Sequence, residues 1–193
     1  MARIEHDFLG EREVPDDAYF GIQSLRGQEN FRITGLRIAA EPNFIKAFGY
    51  VKKAAAMANR DLGVLEPTIA QAIIHGCDRL IAGEMRSQFI IDFIQGGAGT
   101  STNMNVNEVI ANLALEHLGR AKGDYAHVNP NDHVNFGQST NDVYPTALRL
   151  ALIMRLSSYS DALRDLQRAF ERKGDEFREV LKMGRTHLQD AVP

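Results

Sequence analysis

The chain has 193 residues, of which 44% are hydrophobic and 24% charged, and its formal net charge is −3. These values are ordinary for a soluble globular protein, and the small negative charge without a basic tract argues against nucleic-acid binding. No stretch approaches the roughly 18 uncharged apolar residues of a membrane span, and the first residues lack the build of a signal peptide. The single cysteine, Cys77, excludes an intrachain disulfide, so we expect a buried structural thiol and a cytoplasmic setting.

Local patterns predict three helices after an irregular start. The first 40 residues or so are interrupted by glycines and by a Pro-Asp-Asp stretch, which is typical of loops. Apolar residues at helical spacing predict a helix over about Asn43–Leu62, which Gly63 ends, and a second helix that opens at Pro67. A third helix is predicted over about Asn103–Leu118.

A much longer helix is predicted from about Asp142 to Met183. Its apolar residues alternate steps of four and three, the spacing of a helical-bundle seam. Forty residues at ~1.5 Å each give roughly 60 Å, whereas a globule of this chain length has a radius of gyration of only ~16 Å. We therefore expect the helix to need partners along its length, either other chains or further sequence.

The run "GGAGTSTNMN", Gly96–Asn105, combines glycines, hydroxyls and amides without a charge just before the third helix. Unsatisfied N–H groups and the positive dipole end at a helix start favour a small anion. The alternative is an ordinary helix cap, because Ser, Thr and Asn are the preferred capping residues. The run matches neither the phosphate-binding Walker loop nor the dinucleotide fingerprint.

Two further polar runs flank the long helix. Ser139, Thr140 and Asn141 precede it, and Thr186 and His187 follow it. Capping accounts for one or two of the first group, and a lone histidine is more often structural than catalytic. If both runs are functional, the length of the helix requires neighbouring chains to bring one helix start beside another helix end, which predicts a site shared between subunits.

The histidines show no metal-binding pattern. His127 and His133 flank "NPND", but neither their spacing nor any cysteine suggests a zinc site. We therefore predict no metal site.

Together these runs resemble the signature regions of the aspartase/fumarase superfamily, and the resemblance covers essentially the whole chain. It rests on "QGGAGTSTNMNVNEVIAN", "NPNDHVNFGQSTNDVYPTA" and "KMGRTHLQDAVP", which are long and specific motifs. The resemblance implies a mainly α fold, with an amino-terminal helical domain over residues 1–141 and the start of a central helical bundle over residues 142–193. It also implies a homotetramer.

Within the superfamily, the motifs are nearer to those of aspartate ammonia-lyases than to those of class II fumarases. Fumarases typically have Ser-Ser-Asn-Asp-Val-Phe-Pro where this chain has "STNDVYP", and Leu-Met-Asp-Ala-Thr-Pro where it has "LQDAVP". The implied reaction is the reversible deamination of L-aspartate to fumarate and ammonia through an aci-carboxylate intermediate. The alternatives are a class II fumarate hydratase, a non-catalytic helical scaffold and a helical-bundle binding module.

The resemblance also implies roles for individual residues. Thr100 would contact the amino group and one carboxylate of the substrate, Ser139 and Thr140 the β-carboxylate, and Asn141 the leaving amine. Thr186 would bind the α-carboxylate, and His187 would orient and polarise the amino group rather than act as the base.

No cofactor is implied as required, although a divalent cation such as Mg²⁺ activates some aspartases. The general base of the family is a serine in a Gly-Ser-Ser loop that this sequence does not contain. We therefore expect the chain to be an amino-terminal part of such an enzyme and to be inactive by itself.

Overall fold

The computed structural model describes residues 1–192 and leaves out Pro193, the last residue of the third polar run. Five α-helices and two β-hairpins are the main elements of residues 1–192. The helices are α1 (Ile22–Asn30), α2 (Pro42–Asp61), α3 (Pro67–Ile81), α4 (Thr100–His117) and α5 (Thr140–Glu176). The strands are β1 (Ala2–Asp7), β2 (Gly10–Pro15), β3 (Gly184–Thr186) and β4 (Gln189–Val192). The predicted mainly helical fold is confirmed.

The core of the first unit, Met1–Met154, forms where α2, α3 and α4 pack together. Helix α4 is the centre of this core, because it is buried on almost every side from Thr102 to Leu115. Cys77 on α3 is fully buried, as expected, and burial raises the pKa of its thiol to about 12. The thiol therefore remains protonated and packs as a small apolar group.

The start of the chain differs from the sequence prediction, which was wrong in expecting irregular structure over the first 40 residues. Strands β1 and β2 form an antiparallel hairpin with Ala2 opposite Pro15, and α1 follows. No side chain next to α1 caps it. Instead, the carboxylate of Glu108 on α4 accepts the N–H groups of Gly21, Gln23 and Ser24 at 2.8–3.0 Å. Because this cap comes from a residue far along the chain, no local sequence pattern predicts the helix.

Helices α2 and α3 lie within one residue of the predicted starts, and each begins with a proline in its first turn. Helix α4 begins three residues earlier than predicted, at Thr100. The long helix is confirmed, but α5 runs from Thr140 to Glu176 and does not reach Met183.

Helix α5 begins in the first unit and continues into the second, Arg155–Pro193, of which residues 155–192 are described. Its first turns belong to the first unit because Val143, Ala147 and Ala151 are buried there. The compact units therefore divide inside α5, at Met154, and the domain boundary at residues 141/142 stays a prediction about the family's architecture. No helix in residues 1–192 is long and apolar enough to cross a membrane.

Candidate active site

The first polar run forms a glycine turn and the first turns of α4. Gly97 and Gly99 both have positive φ, 71° and 88°, and Gly99 occupies the N-cap position without a side chain to cap the helix. The orphan N–H of Thr102 is instead accepted by the side chain of Gln95 at 2.9 Å. The capping explanation therefore does not account for the hydroxyls of this run, and Thr100 at the helix start is exposed.

In the second polar run, Ser139 caps α5, whereas Thr140 and Asn141 do not. The hydroxyl of Ser139 accepts the N–H of Asn141 at 3.3 Å, which is the bond expected of a helix cap. Asn141 itself is exposed and Thr140 is half-buried, and neither is used as a cap. Capping thus explains Ser139 and leaves the next two side chains unexplained.

The first two runs meet at a cleft of about 300 Å³ between the starts of α4 and α5. Residues of both runs and of the preceding apolar segment line it: Phe93, Ile94, Gln95, Gly97, Ala98, Gly99, Asn141, Tyr144 and Pro145. The backbone of Gly99 lies so close to Tyr144 that an added Cβ would come within 2.1 Å of the ring. The amino ends of two helices therefore border one small cleft, and their dipoles favour a bound anion there.

A buried polar network joins the same two runs below the surface. The side-chain amide nitrogen of Asn103 donates to the Asn135 side-chain oxygen at 3.0 Å and to the Thr140 hydroxyl oxygen at 3.3 Å. The ammonium of Lys52, on α2, donates to the same Asn135 oxygen at 2.8 Å. Lys52 is fully buried, and burial lowers its pKa to about 7. The network connects α2, the segment before α5, and the starts of α4 and α5.

Thr100 lies on a different cleft from Asn141. This second cleft, of about 500 Å³, is also lined by Glu108, Tyr125 and Asn129. Burial raises the pKa of Glu108 to about 7, against the opposing effect of the donors from α1, and burial raises the pKa of Tyr125 as well. Within the first unit, the structure thus brings Ser139, Thr140 and Asn141 to the start of α5 and leaves Thr100 on the neighbouring cleft.

The third run lies in the second unit, where it forms a hairpin. Thr186 ends β3, and β4 follows with Gln189 opposite Thr186. The two residues between the strands, His187 and Leu188, both have positive φ, 49° and 61°. Such a two-residue turn matches the twist of the strands, but positive φ is uncommon for side chains other than Gly, Asn, Asp and His, so Leu188 is the less favoured of the two. Thr186 and His187 are both exposed.

Residues 1–192 contain no group of three side chains arranged to hold a metal ion. His127 and His133 are used locally: the Nδ1 atom of His127 lies 3.0 Å from Asp124, and Nδ1 of His133 accepts the N–H of Asn129 at 2.9 Å. The second of these bonds belongs to a short π-helical turn over Pro130–Val134.

Comparison with known proteins identifies the family. Residues 10–193 match the model of the lyase family. The chain belongs to this family. It is 57% identical over 191 residues to the aspartate ammonia-lyase of Helicobacter pylori strain J99, a match that covers 99% of the chain and 41% of the relative. It is 54% identical over 192 residues to the aspartate ammonia-lyase of Escherichia coli K12, covering 99% of the chain and 40% of the relative.

The chain thus spans about two fifths of the length of the curated relatives that it matches. Among solved structures, it resembles the fumarate lyase:delta crystallin of Brucella melitensis in its native form, at 56% identity and a TM-score of 0.87, over 100% of this chain and 45% of that one. It also resembles the class II fumarase of Schistosoma mansoni, at 36% identity and a TM-score of 0.80, over 100% of this chain and 40% of that one. The resemblance to the aspartase/fumarase superfamily is confirmed.

Sequence reasoning missed the buried members of the site. Lys52 follows Phe44 and Phe48 at intervals of four, so it continues the inward face of α2. The signal in the sequence was a lysine on a helix face that is otherwise apolar. A lysine is almost never fully buried unless it has a partner, so its place on this face indicates a polar partner in the interior. Asn135 gave no comparable signal within its polar loop.

Proposed function

We propose that the protein that carries this chain is an aspartate ammonia-lyase, which reversibly converts L-aspartate to fumarate and ammonia. Two relatives of that name are 57% and 54% identical to nearly the whole chain, whereas the class II fumarase is 36% identical. The fumarase-type alternative is therefore less well supported. The scaffold alternative gives no reason for uncharged donors at the starts of two helices.

The observation that carries the proposal is the cleft between the starts of α4 and α5. Removing a proton from Cβ of aspartate moves negative charge onto the β-carboxylate and produces a doubly charged aci-carboxylate. Hydroxyl, amide and helix-end N–H donors that are already in place stabilise this developing charge more than the ground state. Neutral donors suit this task because they bind the growing charge without neutralising the substrate carboxylate beforehand.

We assign the roles as follows. Ser139 and Thr140 bind the β-carboxylate, and Asn141 lies near the leaving amine. Thr100 contacts the amino group and a carboxylate, and because it lines a different cleft from Asn141 it does so in a site to which another subunit contributes Asn141. Thr186 binds the α-carboxylate, and His187 orients and polarises the amino group.

The base and the assembly belong to the same proposal. The general base is a serine of the family's Gly-Ser-Ser loop, and the active form is a homotetramer in which neighbouring subunits contribute to each site. The reaction needs no cofactor to form its intermediate, because the substrate's own carboxylate accepts the electron pair. A divalent cation such as Mg²⁺ is proposed only as an activator, and its test is the rate with and without a chelator.

The full polypeptide that contains this chain should form fumarate, measured at 240 nm, from L-aspartate and not from malate. Thr100→Ala and Thr186→Ala should each lower kcat/KM about 10²–10³-fold, as expected for loss of a donor to developing charge. Both variants should keep the wild-type melting temperature and oligomeric state. Turnover of malate in place of aspartate would favour the fumarase alternative, and undiminished turnover by both variants would overturn the site assignment.

A further prediction is that residues 1–193 by themselves release no fumarate from L-aspartate above background. The reason is that the resemblance assigns the general base to a loop without a match in this sequence. Fumarate formation at 240 nm by the purified chain would contradict this and would place the base among its own residues.

A further inference from the structure

Lys52 is the most unusual buried group of the first unit. Its side chain is fully buried, yet it forms no ion pair with any carboxylate of residues 1–192. Its one hydrogen-bond partner in the described chain is the side-chain oxygen of Asn135, at 2.8 Å. Burying an ammonium without a counter-charge is costly, and an apolar side chain at this position would avoid that cost. We therefore expect the hydrogen-bond donor of Lys52 to have a role that an apolar side chain cannot fill.

What Lys52 supplies is a direction for the amide of Asn135. An ammonium group has hydrogens to donate and no acceptor, so Asn135 must turn its oxygen toward it. On its other side, the Asn135 nitrogen donates to the backbone oxygen of Gln138 at 3.1 Å. The reversed amide would place donors against donors on one side and oxygen against oxygen on the other.

The orientation of the Asn135 amide in turn fixes that of the Asn103 amide. Because the Asn135 oxygen also faces Asn103 at 3.0 Å, Asn103 must present its nitrogen there. That same nitrogen lies 3.3 Å from the Thr140 hydroxyl oxygen, which is thereby an acceptor toward the protein. The Asn103 oxygen is buried without a hydrogen-bond partner in residues 1–192, and the reversed amide would instead place that oxygen against the Asn135 oxygen.

We infer that Lys52 is a positioning residue that, through Asn135 and Asn103, makes the Thr140 hydroxyl a donor to a bound carboxylate. With its lone pair engaged by Asn103, Thr140 has its hydrogen left for another acceptor, and a carboxylate is acceptor-only. The identity of the ligand rests on the proposed function. The direction of the hydrogen bonds from Lys52 to Thr140 rests only on the contacts within this chain. Burial lowers the pKa of Lys52 to about 7, and in the amine form the backbone oxygen of Gln138, which accepts from the Asn135 nitrogen at 3.1 Å, keeps the amide in the same direction.

The kinetic test is a double-mutant cycle in the full polypeptide with L-aspartate. Thr140→Val should lower kcat/KM about 10- to 100-fold, the range for a hydrogen bond to a charged group. Lys52→Met should also lower kcat/KM, by less than Thr140→Val, and should add nothing in the Thr140→Val background, since it acts through that hydroxyl. Lys53→Met is the matched control, because Lys53 is the neighbouring lysine of α2 and pairs at the surface with Asp78. It should leave kcat/KM unchanged.

A near-isosteric variant covers the case in which Lys52→Met does not fold. Asn103→Asp replaces the donating nitrogen by oxygen, so the Thr140 hydroxyl should donate to the protein and be lost to the ligand. The value of kcat/KM should then fall about as much as in Thr140→Val. An undiminished Lys52→Met effect in the Thr140→Val background, or an unchanged kcat/KM in Asn103→Asp, would overturn the inference.

A second readout does not depend on turnover. In NMR spectra of the 193-residue chain, the side-chain NH₂ groups of Asn103 and Asn135 should exchange slowly, with a nuclear Overhauser contact between the Asn103 NH₂ and Thr140. Lys52→Met should abolish this protection while Lys53→Met preserves it. Absence of the contact in the unmodified chain would disprove the inference, whereas a protected network in a polypeptide that does not process L-aspartate would disprove only the proposed function.

Discussion

At the scale of single residues, the cleft depends on how closely the first polar run approaches α5. Gly99 combines a φ of 88° with contact to the Tyr144 ring, whereas Gly97 has a φ of 71° and open space around its Cα. The two glycines therefore separate backbone strain from steric overlap. Both require left-handed backbone, and only one faces an obstacle.

We expect Gly99→Ala to be more destabilising than Gly97→Ala. Left-handed backbone costs an alanine about 1–2 kcal/mol at either position, and overlap with Tyr144 adds about 1–3 kcal/mol at Gly99. Urea unfolding of the 193-residue chain measures the difference. Equal losses of stability in the two variants would mean that Tyr144 does not pack on Gly99 in solution.

Lys52 should make stability depend on pH between 7 and 9. Its pKa is about 7 in the folded protein and 10.5 as the ordinary value, so the unfolded chain binds more protons in this range and stability rises with pH. The contribution is up to about 1.4 kcal/mol per pH unit. Above pH 9 the buried Cys77, whose pKa is raised to about 12, acts in the opposite direction because only the unfolded chain then loses the thiol proton.

The measurement is the free energy of unfolding from pH 7 to pH 9 for the unmodified chain and for Lys52→Met. The variant should have a flatter profile, while Lys53→Met should keep the original slope. Parallel profiles for all three proteins would show that Lys52 is charged throughout the range.

At the scale of elements, α5 carries an exposed apolar stripe over most of its length. The stripe follows the predicted seam and comprises Leu148, Leu152, Leu156, Tyr159, Leu163, Leu166 and Phe170, which are 42–70% exposed. The buried residues of α5 are Val143, Ala147 and Ala151, which lie in its first turns. A stripe of this extent is typical of a helix that packs against others.

The 193-residue chain should therefore self-associate through α5. Leu156→Glu combined with Leu163→Glu should shift it toward the monomer, because charges in the seam oppose burial. Ser158→Glu combined with Ser157→Glu adds the same charge to the same helix without removing apolar surface, and it should associate like the unmodified chain. Multi-angle light scattering reads the mass directly, and a monomer at every concentration in the unmodified chain would contradict the prediction.

At the scale of the whole molecule, the family and the mainly helical architecture were readable from the sequence, while the small elements were not. Helices α2 and α3 carry their own start signals in Pro42 and Pro67. Helix α1 has no such signal because its cap is Glu108, 84 to 87 residues away. The end of α5 at Glu176 was also missed, since the apolar spacing continues past it.

For the candidate site, too, the sequence identified some features and the structure added others. The exposed hydroxyls and amides of Ser139, Thr140 and Asn141 were recognisable because motifs are written in consecutive residues. Their roles in binding stay predictions, as do those of Thr100, Thr186 and His187. The structure adds that Thr100 lines a different cleft from Asn141.

By itself, the sequence determined four of the five α-helices, α2 to α5, and which polar side chains occur at helix starts, because helix periodicity, capping and glycine turns are local properties of the backbone. Only the tertiary structure decided that Lys52, Asn135, Asn103 and Thr140 form one hydrogen-bonded series. The hydrogen-bonded pairs are 32 to 83 positions apart along the chain, and hydrogen-bond direction is set by which atoms packing brings within about 3 Å of each other.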